Sequence, residues 1–344
     1  MRTMCCRTRR ATVSSWRSLS ALSDANAVEA VPFPAIPIIG RGEASDNAPC
    51  VVPWEQRGPA SGRSLAGQVN CGVMVVDCHT HVFPPQVVEA REEYLRADPT
   101  FGELYGNPRA RLATAPDLLA SMERAAVDIS FMLGFAWRDQ EMCRRHNDYL
   151  LEWAARSGGR LVAFCTVNPV GPGAEEEAER CARAGARGLG ELRPESQGWD
   201  LLGPAGERLA SLARRLGLAL LFHVSEPVGH RYAGKEGLAL ATFYRFAEAN
   251  PDLCIVGAHL GGGLPFYAHM PEVREVCRRL YFDTAAVPLL YSPDALALVD
   301  DDRLLFGSDF PLLGQERALA SLPDRALAER WSRNALALLG CREG

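Results

Sequence analysis

The stretch that decides the fold is Asp77-Cys78-His79-Thr80-His81, which follows a short apolar run and carries two histidines two positions apart. Residues two apart on a β-strand point to the same face, so His79 and His81 can share one cation. Cys78 and Thr80 should then point to the opposite face, which makes Cys78 a poor ligand candidate. The stretch therefore predicts a strand that ends at a metal site.

The sequence beyond residue 73 alternates short apolar runs with amphipathic segments. Short, mostly apolar runs are typical of parallel strands that are buried on both faces. Eight such runs are predicted as strands, at 73–78, 129–135, 161–168, 186–192, 219–224, 254–259, 280–284 and 304–308. Helical patterns are found at 116–126, 140–157, 174–184, 207–216, 237–250, 271–279 and 293–299, with two more around Pro323. This alternation predicts a (β/α)₈ TIM barrel, with a doubly wound open sheet as the alternative.

Residues 1–72 differ in composition from the rest of the chain. The first 23 contain five arginines and no acidic residue, and 31–62 contains six prolines. No helical or strand period survives there, so we expect a poorly structured N-terminal extension before a barrel domain at 73–344. Three interpretations stay open: a sequence that starts too far upstream of Met74, an organelle transit peptide in 1–23, and a functional extension.

The overall composition limits the partners and the compartment. A net charge of −5 argues against a general nucleic-acid binder, and no apolar run reaches the ~18 residues that span a bilayer. The eleven cysteines include no C-x-x-C pair, and so many thiols favour the cytoplasm. We therefore expect a small-molecule partner, no nucleic acid and no membrane, while a homo-oligomer stays open.

Polar residues end three further predicted strands. His223 ends the fifth, His259 the sixth and Asp309 the eighth. Because the carboxyl ends of barrel strands meet at one face, where barrel active sites are built, these side chains should converge with the first-strand histidines. His146 and His269 lie in or near helical stretches, which favours structural or solvent-facing positions for both.

These motifs resemble those of the amidohydrolase superfamily, in particular the amidohydrolase-related group that includes aminocarboxymuconate semialdehyde decarboxylase. The segments that carry the resemblance are 77–81, His223, 259–262 and 306–311, within a similarity over roughly 74–340. The resemblance implies that His79, His81, His223 and Asp309 bind one divalent cation. It also implies that His259 faces the activated water or the substrate.

The donor set is compatible with this implied chemistry. Imidazoles with one carboxylate suit Zn²⁺, with Mn²⁺ or another divalent cation as the alternative. A bound cation lowers the pKa of water to ~7, and Asp309 could then move its proton while His259 stabilises negative charge.

Glu191 departs from the pattern of the decarboxylase group. It lies at the end of the fourth predicted strand and resembles the bridging ligand of binuclear superfamily members. Glu191 is therefore a candidate ligand of a second cation, and a pair with Arg193 or a ligand-orienting role is the alternative.

The segment after His223 is the predicted substrate-binding loop. It carries His230, Arg231 and Lys235 between glycines, and cationic side chains of this kind bind carboxylates and phosphates. Arg193, directly after the fourth strand, is a comparable candidate. The alternative is an exposed loop with ordinary charges.

The leading functional prediction is a metal-dependent hydrolase that uses cation-activated water on a small organic substrate, for which an anionic group is one option. The first alternative is a metal-dependent, non-oxidative decarboxylase of an unsaturated or aromatic acid. A TatD-like nuclease and an inactive binding barrel are the remaining alternatives.

Overall fold

The computed structural model of the protein describes residues 74–235 and 237–340. Its sheet has eight parallel strands in sequential order. They are β1 (Val76–His81), β2 (Ile129–Leu133), β3 (Leu161–Cys165), β4 (Gly188–Leu192), β5 (Ala219–Phe222), β6 (Ile255–Gly257), β7 (Tyr281–Asp283) and β8 (Leu304–Leu305). The extension predicted at 1–72 lies outside the described residues.

Hydrogen bonds between β1 and the segment after β8 bring the two ends of the sheet together. The Cys78 N–H donates to the Phe306 carbonyl at 2.7 Å, and the Asp309 N–H donates to the His79 carbonyl at 2.9 Å. The His81 N–H donates to the Phe310 carbonyl at 2.6 Å. The predicted (β/α)₈ barrel is confirmed, and we call this contact the β8–β1 seam.

Helices connect the strands on the outside of the sheet. They are α1 (Pro85–Glu89), α2 (Arg91–Ala97), α3 (Pro99–Tyr105), α4 (Ala115–Ala125), α5 (Gln140–Arg156), α6 (Ala174–Arg183), α7 (Pro194–Gln197), α8 (Pro204–Leu216), α9 (Leu240–Ala249), α10 (Ala258–Gly261), α11 (Pro271–Cys277), α12 (Val287–Leu290), α13 (Gln315–Ala320) and α14 (Ala326–Gly340). Short 3₁₀ helices span Leu264–Tyr267, Pro293–Leu298 and Asp301–Arg303. No helix of the described residues is long and apolar enough to cross a membrane.

Local sequence signals explain where several helices begin and end. Thr114 and Asp117 form a capping box at the start of α4, and Asp139 caps α5. Helix α8 begins with Pro204, whose fixed φ suits a first helical position. The helix is followed by Gly217, which has a φ of 61°. The short α10 is a left-handed turn, because His259 and Leu260 have φ values of 57° and 54°.

The sequence patterns located all eight strands, but they missed the three short helices α1 to α3 between β1 and α4. The prediction that Cys78 points away from the barrel interior is wrong. The register between β1 and β2 shifts between Asp77 and Thr80, so simple alternation fails there. Cys78 consequently packs in the interior cluster with Phe131 and Leu305.

Two buried clusters position the site. Inside the barrel, Phe131 and Phe164 stack with ring centroids 5.0 Å apart, and each buried side chain of this size contributes about 1.5–3 kcal/mol. The second, larger cluster lies between the sheet and the surrounding helices. The packed interior supports the strand ends, where the polar residues gather.

Candidate metal centre

The predicted metal ligands of β1 and the segment after β8 lie close together. His79 Nε2 is 3.1 Å from His81 Nε2, and Asp309 Oδ1 is 3.7 Å from each of these nitrogens. All three residues are buried. Gly307 makes room for this arrangement, because a Cβ at position 307 would lie only 2.9 Å from the His79 Cβ. His79, His81 and Asp309 form one group that could hold a metal ion.

A second group forms around Glu191 at the end of β4. Its Oε1 lies 2.8 Å from His223 Nδ1, 3.3 Å from His259 Nε2 and 4.0 Å from His79 Nε2. Its Oε2 lies 3.5 Å from His81 Nε2. Glu191 therefore contacts or approaches all four predicted site histidines, and His79, Glu191 and His259 form a second group that could hold a cation.

His223 lies beside Glu191 and His259. Its Nδ1 faces Glu191 and His259, at 2.8 and 3.1 Å, and it belongs to neither three-residue group. Its Nε2 lies 3.2 Å from both the Gly234 carbonyl and the Ser225 hydroxyl. His223 thus stands on the Glu191 side of the cluster, apart from Asp309.

The hydrogen bonds on the outer side of the cluster fix two tautomers. His79 Nδ1 is 2.8 Å from Asp283 Oδ2, and His259 Nδ1 is 3.0 Å from the Ala285 carbonyl. These oxygens only accept, so each Nδ1 carries a proton, and each Nε2 points inward and offers a lone pair when the ring is neutral. Inward lone pairs beside ionised carboxylates repel one another unless a proton or a cation lies between them. The donor set therefore fits a divalent cation, with Asp283 orienting His79 from behind.

The pKa shifts indicate a negative electrostatic potential at the cluster. Burial lowers the pKa of His79, but the charges of Asp283, Glu191 and Asp309 outweigh burial and raise it to about 10. Burial also lowers the pKa of His259, and Glu191 outweighs burial to raise it. The pKa of Glu191 lies well below its ordinary value, because His223 and its neighbours outweigh the effect of burial.

The pKa values of the other two histidines, His223 and His81, are lowered. Burial, together with the positive charge of Arg193, lowers the pKa of His223 to about 4. Burial and the charge of His79 lower the pKa of His81. His223 and His81 are therefore neutral at neutral pH, which is the form in which an imidazole binds a cation.

Asp77 ties the two halves of the first group together across the β8–β1 seam. Its Oδ1 accepts from the backbone N–H groups of His79 and Ser308 at 3.2 and 3.0 Å. Its Oδ2 accepts from the Ser308 hydroxyl and from Gln315 Nε2 at 2.6 and 2.8 Å. Burial raises the pKa of Asp77 to about 6. These bonds fix the position of His79 relative to Asp309.

A cavity of ≈ 350 Å³ opens above the cluster. Its lining is mostly apolar, from residues 104–105, 135–136, 286, 289–290 and 311–312. His81, Glu191, His259 and Asp309 line the same cavity, so the cluster can reach a bound molecule.

The predicted anion-binding residues separate into two sets. Arg193, which is 4% exposed, lines the cavity and donates from Nη2 to the Gly234 carbonyl at 2.7 Å. His230 also lines the cavity, although it is exposed. Arg231 is exposed and does not line the cavity. Lys235 binds Glu226 and two loop carbonyls within its own loop, so the structure does not bring it to the cluster.

Two residues of the site were missed by sequence reasoning. Asp283 ends β7, and the strand-end signal that singled out Asp309 applies equally to it. Tyr105 ends α3 and lines the cavity, but it follows no strand, so no such signal points to it. Burial and the charges of Asp309 and Glu191 raise the pKa of the Tyr105 phenol.

The fold and the site define a parallel (β/α)₈ barrel with a buried histidine–carboxylate cluster at the carboxyl ends of its strands. A family model described as "Amidohydrolase" matches residues 76–339. The chain belongs to this family of enzymes, as the resemblance of its motifs predicted.

Solved structures with the same fold include three decarboxylases. 5-Carboxyvanillate decarboxylase of Sphingomonas paucimobilis is 20% identical, with 78% of this chain and 99% of that chain covered and a TM-score of 0.64. 2,6-Dihydroxybenzoate decarboxylase from Rhizobium is 19% identical, with coverage of 79% and 99% and a TM-score of 0.57. 5-Carboxyvanillate decarboxylase of Novosphingobium aromaticivorans, complexed with manganese and 4-hydroxy-3-methoxy-5-nitrobenzoic acid, is 16% identical, with coverage of 78% and 96% and a TM-score of 0.62. Among proteins with curated functions, none matches this chain.

Proposed function

We propose that the protein is a metal-dependent, non-oxidative decarboxylase of a small aromatic or unsaturated carboxylic acid. The observation that carries the proposal is an apolar cavity of ≈ 350 Å³ whose floor is the histidine–carboxylate cluster and whose wall includes Arg193. Cavities that enclose small ligands begin at ~300 Å³, so this volume suits a compact, largely apolar acid. The three solved structures named above are all decarboxylases, which favours this reaction over the predicted hydrolysis.

The similar solved structures support the same choice. Their names specify 5-carboxyvanillate and 2,6-dihydroxybenzoate, and one contains manganese with a nitrobenzoic acid. Each of these acids is a single substituted ring. A substrate of this class offers an apolar ring for the cavity wall and an anionic group for Arg193.

His79, His81 and Asp309 are the proposed ligands of the first cation, which supplies Lewis-acid polarisation of substrate oxygens when bound. In the reaction, the bond between the ring carbon and the carboxyl carbon breaks and CO₂ leaves. The electron pair stays on the ring carbon, which takes a proton. We assign the transfer of that proton to Asp309, whose carboxylate lines the cavity and first takes up a proton from solvent that enters the cavity.

Two other residues orient the substrate. Arg193 holds the anionic group, because its guanidinium is fixed against the Gly234 carbonyl and lines the cavity. His259 stabilises negative charge that develops on a substrate oxygen, since its ring lines the cavity and its pKa is raised.

The test is an assay of the full chain, loaded with manganese or with zinc, against substituted benzoic acids and unsaturated dicarboxylic acids. CO₂ release that matches the loss of the acid supports the proposal. Asp309→Asn should lower the rate by about 10²-fold or more while the melting temperature shows that the variant is folded, because an amide cannot deliver the proton. Wild-type rates in the Asn variant would contradict the assignment.

A metal-dependent hydrolase remains the second candidate function, and the position of Glu191 favours it. A carboxylate between His223, His259 and His79 could bridge a second cation, and two-cation sites suit hydrolysis by an activated water. Hydrolysis of lactones, amides or phosphoesters without CO₂ release would establish this alternative.

The number of cations can be measured independently of activity. If Glu191 bridges two cations, metal analysis should give two equivalents for the wild type and about one for Glu191→Gln. One equivalent in both proteins would leave Glu191 as a residue that orients His223 and His259.

A further inference from the structure

Tyr105 is held in a fixed orientation at the wall of the cavity. Its ring packs against Phe101 and Phe83, with centroids 4.7 and 5.3 Å apart. These two rings belong to a buried aromatic cluster that also contains Phe135 and Trp137. Its backbone carbonyl accepts from Arg91 Nε at 3.1 Å. A side chain fixed in this way loses little conformational freedom when it binds a ligand.

The Tyr105 hydroxyl differs from the other tyrosine hydroxyl at this cavity. Tyr232 also lines the cavity, but its hydroxyl donates to Glu226 Oε2 at 2.9 Å. In the described part of the chain, no hydrogen bond engages the hydroxyl of Tyr105. A phenol remains protonated at neutral pH, so Tyr105 offers the cavity a hydrogen-bond donor.

We propose that Tyr105 determines specificity by donating a hydrogen bond to a hydroxyl group on the ring of an aromatic acid, an inference that rests on the proposed function. Asp309 and Glu191 line the same cavity as this donor, so a ring bound there would present its hydroxyl within the cavity that the cluster floors. Phe135, which packs next to Tyr105 with centroids 6.2 Å apart, supplies an apolar surface for the ring itself.

The chemistry of the reaction explains why a hydrogen bond from Tyr105 to a ring hydroxyl would favour good substrates. Loss of CO₂ requires the ring carbon to accept a proton, and an oxygen substituent at a neighbouring or opposite ring position supplies electron density to that carbon. A donor that recognises ring hydroxyl groups would therefore select the acids that decarboxylate most readily. Benzoate itself would bind by its ring and its carboxylate alone.

The experiment measures binding, so it does not depend on turnover. The dissociation constants of benzoate and of 2-, 3- and 4-hydroxybenzoate are measured by calorimetry on the full chain in the presence of manganese. For the wild type we expect at least one hydroxybenzoate to bind about 3- to 10-fold more tightly than benzoate, the effect of one hydrogen bond. Tyr105→Phe should abolish this preference, and the matched control Tyr232→Phe should retain it.

The outcomes separate the inference from the function on which it rests. Loss of the preference in Tyr105→Phe alone supports the inference. An unchanged preference in Tyr105→Phe, or equal binding of all four acids by the wild type, would overturn the role of Tyr105 and leave the aromatic-acid class standing. If none of the four acids binds the wild type, both the inference and the proposed substrate class fail. Thermal unfolding of each variant verifies that it is folded.

Discussion

His146 should make the stability of the barrel depend on pH. The residue is 2% exposed, and its Nε2 donates to the Val82 carbonyl at 2.7 Å. Its Nδ1 therefore accepts, from the indole N–H of Trp137 at 3.1 Å. Burial lowers the pKa of His146 from 6.5 to about 4, so the folded protein keeps this ring neutral through most of the acidic range.

The sign of the effect follows from the two states. Below pH 6.5 the unfolded chain takes up a proton on this ring, whereas the folded protein does not until the pH approaches 4. The contribution of the neutral His146 to the free energy of unfolding is therefore fully present above pH 6.5, and it is lost as the pH falls towards 4. A tenfold change in proton affinity is worth ~1.36 kcal/mol, so the full loss is about 3 kcal/mol.

His146→Gln isolates this contribution, because glutamine keeps one donor and one acceptor but does not titrate. The variant loses the stacking of His146 on Phe83, whose ring centroids are 5.4 Å apart, so it should be less stable at neutral pH. The stability advantage of the wild type should shrink by about 2 kcal/mol between pH 7 and pH 4.5.

Urea unfolding at several pH values measures the difference, and carboxylates that titrate in both proteins cancel in the comparison. His269→Gln, at an exposed position, controls for the loss of a histidine as such. A wild-type advantage that stays constant from pH 7 to pH 4.5 would refute the reasoning.

Three further predictions concern the metal, the extension and the anion contact. His79→Ala should reduce bound metal severalfold and lower the melting temperature by several degrees, since cation binding stabilises the folded state; unchanged metal content would contradict its role as a ligand. A chain that starts at Met74 should fold, bind metal and keep its activity, and a large drop in melting temperature would show that the preceding residues stabilise the barrel. Arg193→Ala should lower kcat/KM for an anionic substrate by an amount equivalent to about 1.5–3 kcal/mol. Lys235→Ala should have little effect on kcat/KM, because the Lys235 ammonium binds its own loop. Equal losses in these two variants would count against Arg193 as the specific contact.

The barrel was predictable because its strands are short apolar runs and its site residues follow those runs directly. The Asp77–His81 stretch and Asp309 needed only the rule that strand ends meet at one face. The same rule predicted that His223 and His259 lie in the cluster. It could not predict which of the four histidines lie beside Glu191 and which lie beside Asp309. That division depends on distances of 2.8 to 4.0 Å around Glu191, which are set by the packing of neighbouring strands.

Other features depend on contacts that no local pattern encodes. Helices α1 to α3 are 5–7 residues long and are held by aromatic packing between distant segments, so a helical period hardly develops. The position of Tyr105 follows from that packing. Cys78 points inward because the register between β1 and β2 is irregular, and strict alternation of side chains cannot foresee this.

The β8–β1 seam also has a consequence for the order in which a newly made chain matures. His79 and His81 leave the ribosome early, whereas Asp309 and Ser332, whose hydroxyl accepts from the Val76 N–H at 3.0 Å, follow at the end of synthesis. Until then the outer edge of β1 has no strand to pair with, and such an edge favours aggregation. The complete first ligand group exists only after β8 is in place. Metal uptake by that group should therefore be a late step of maturation that seals a finished barrel, rather than the event that nucleates it.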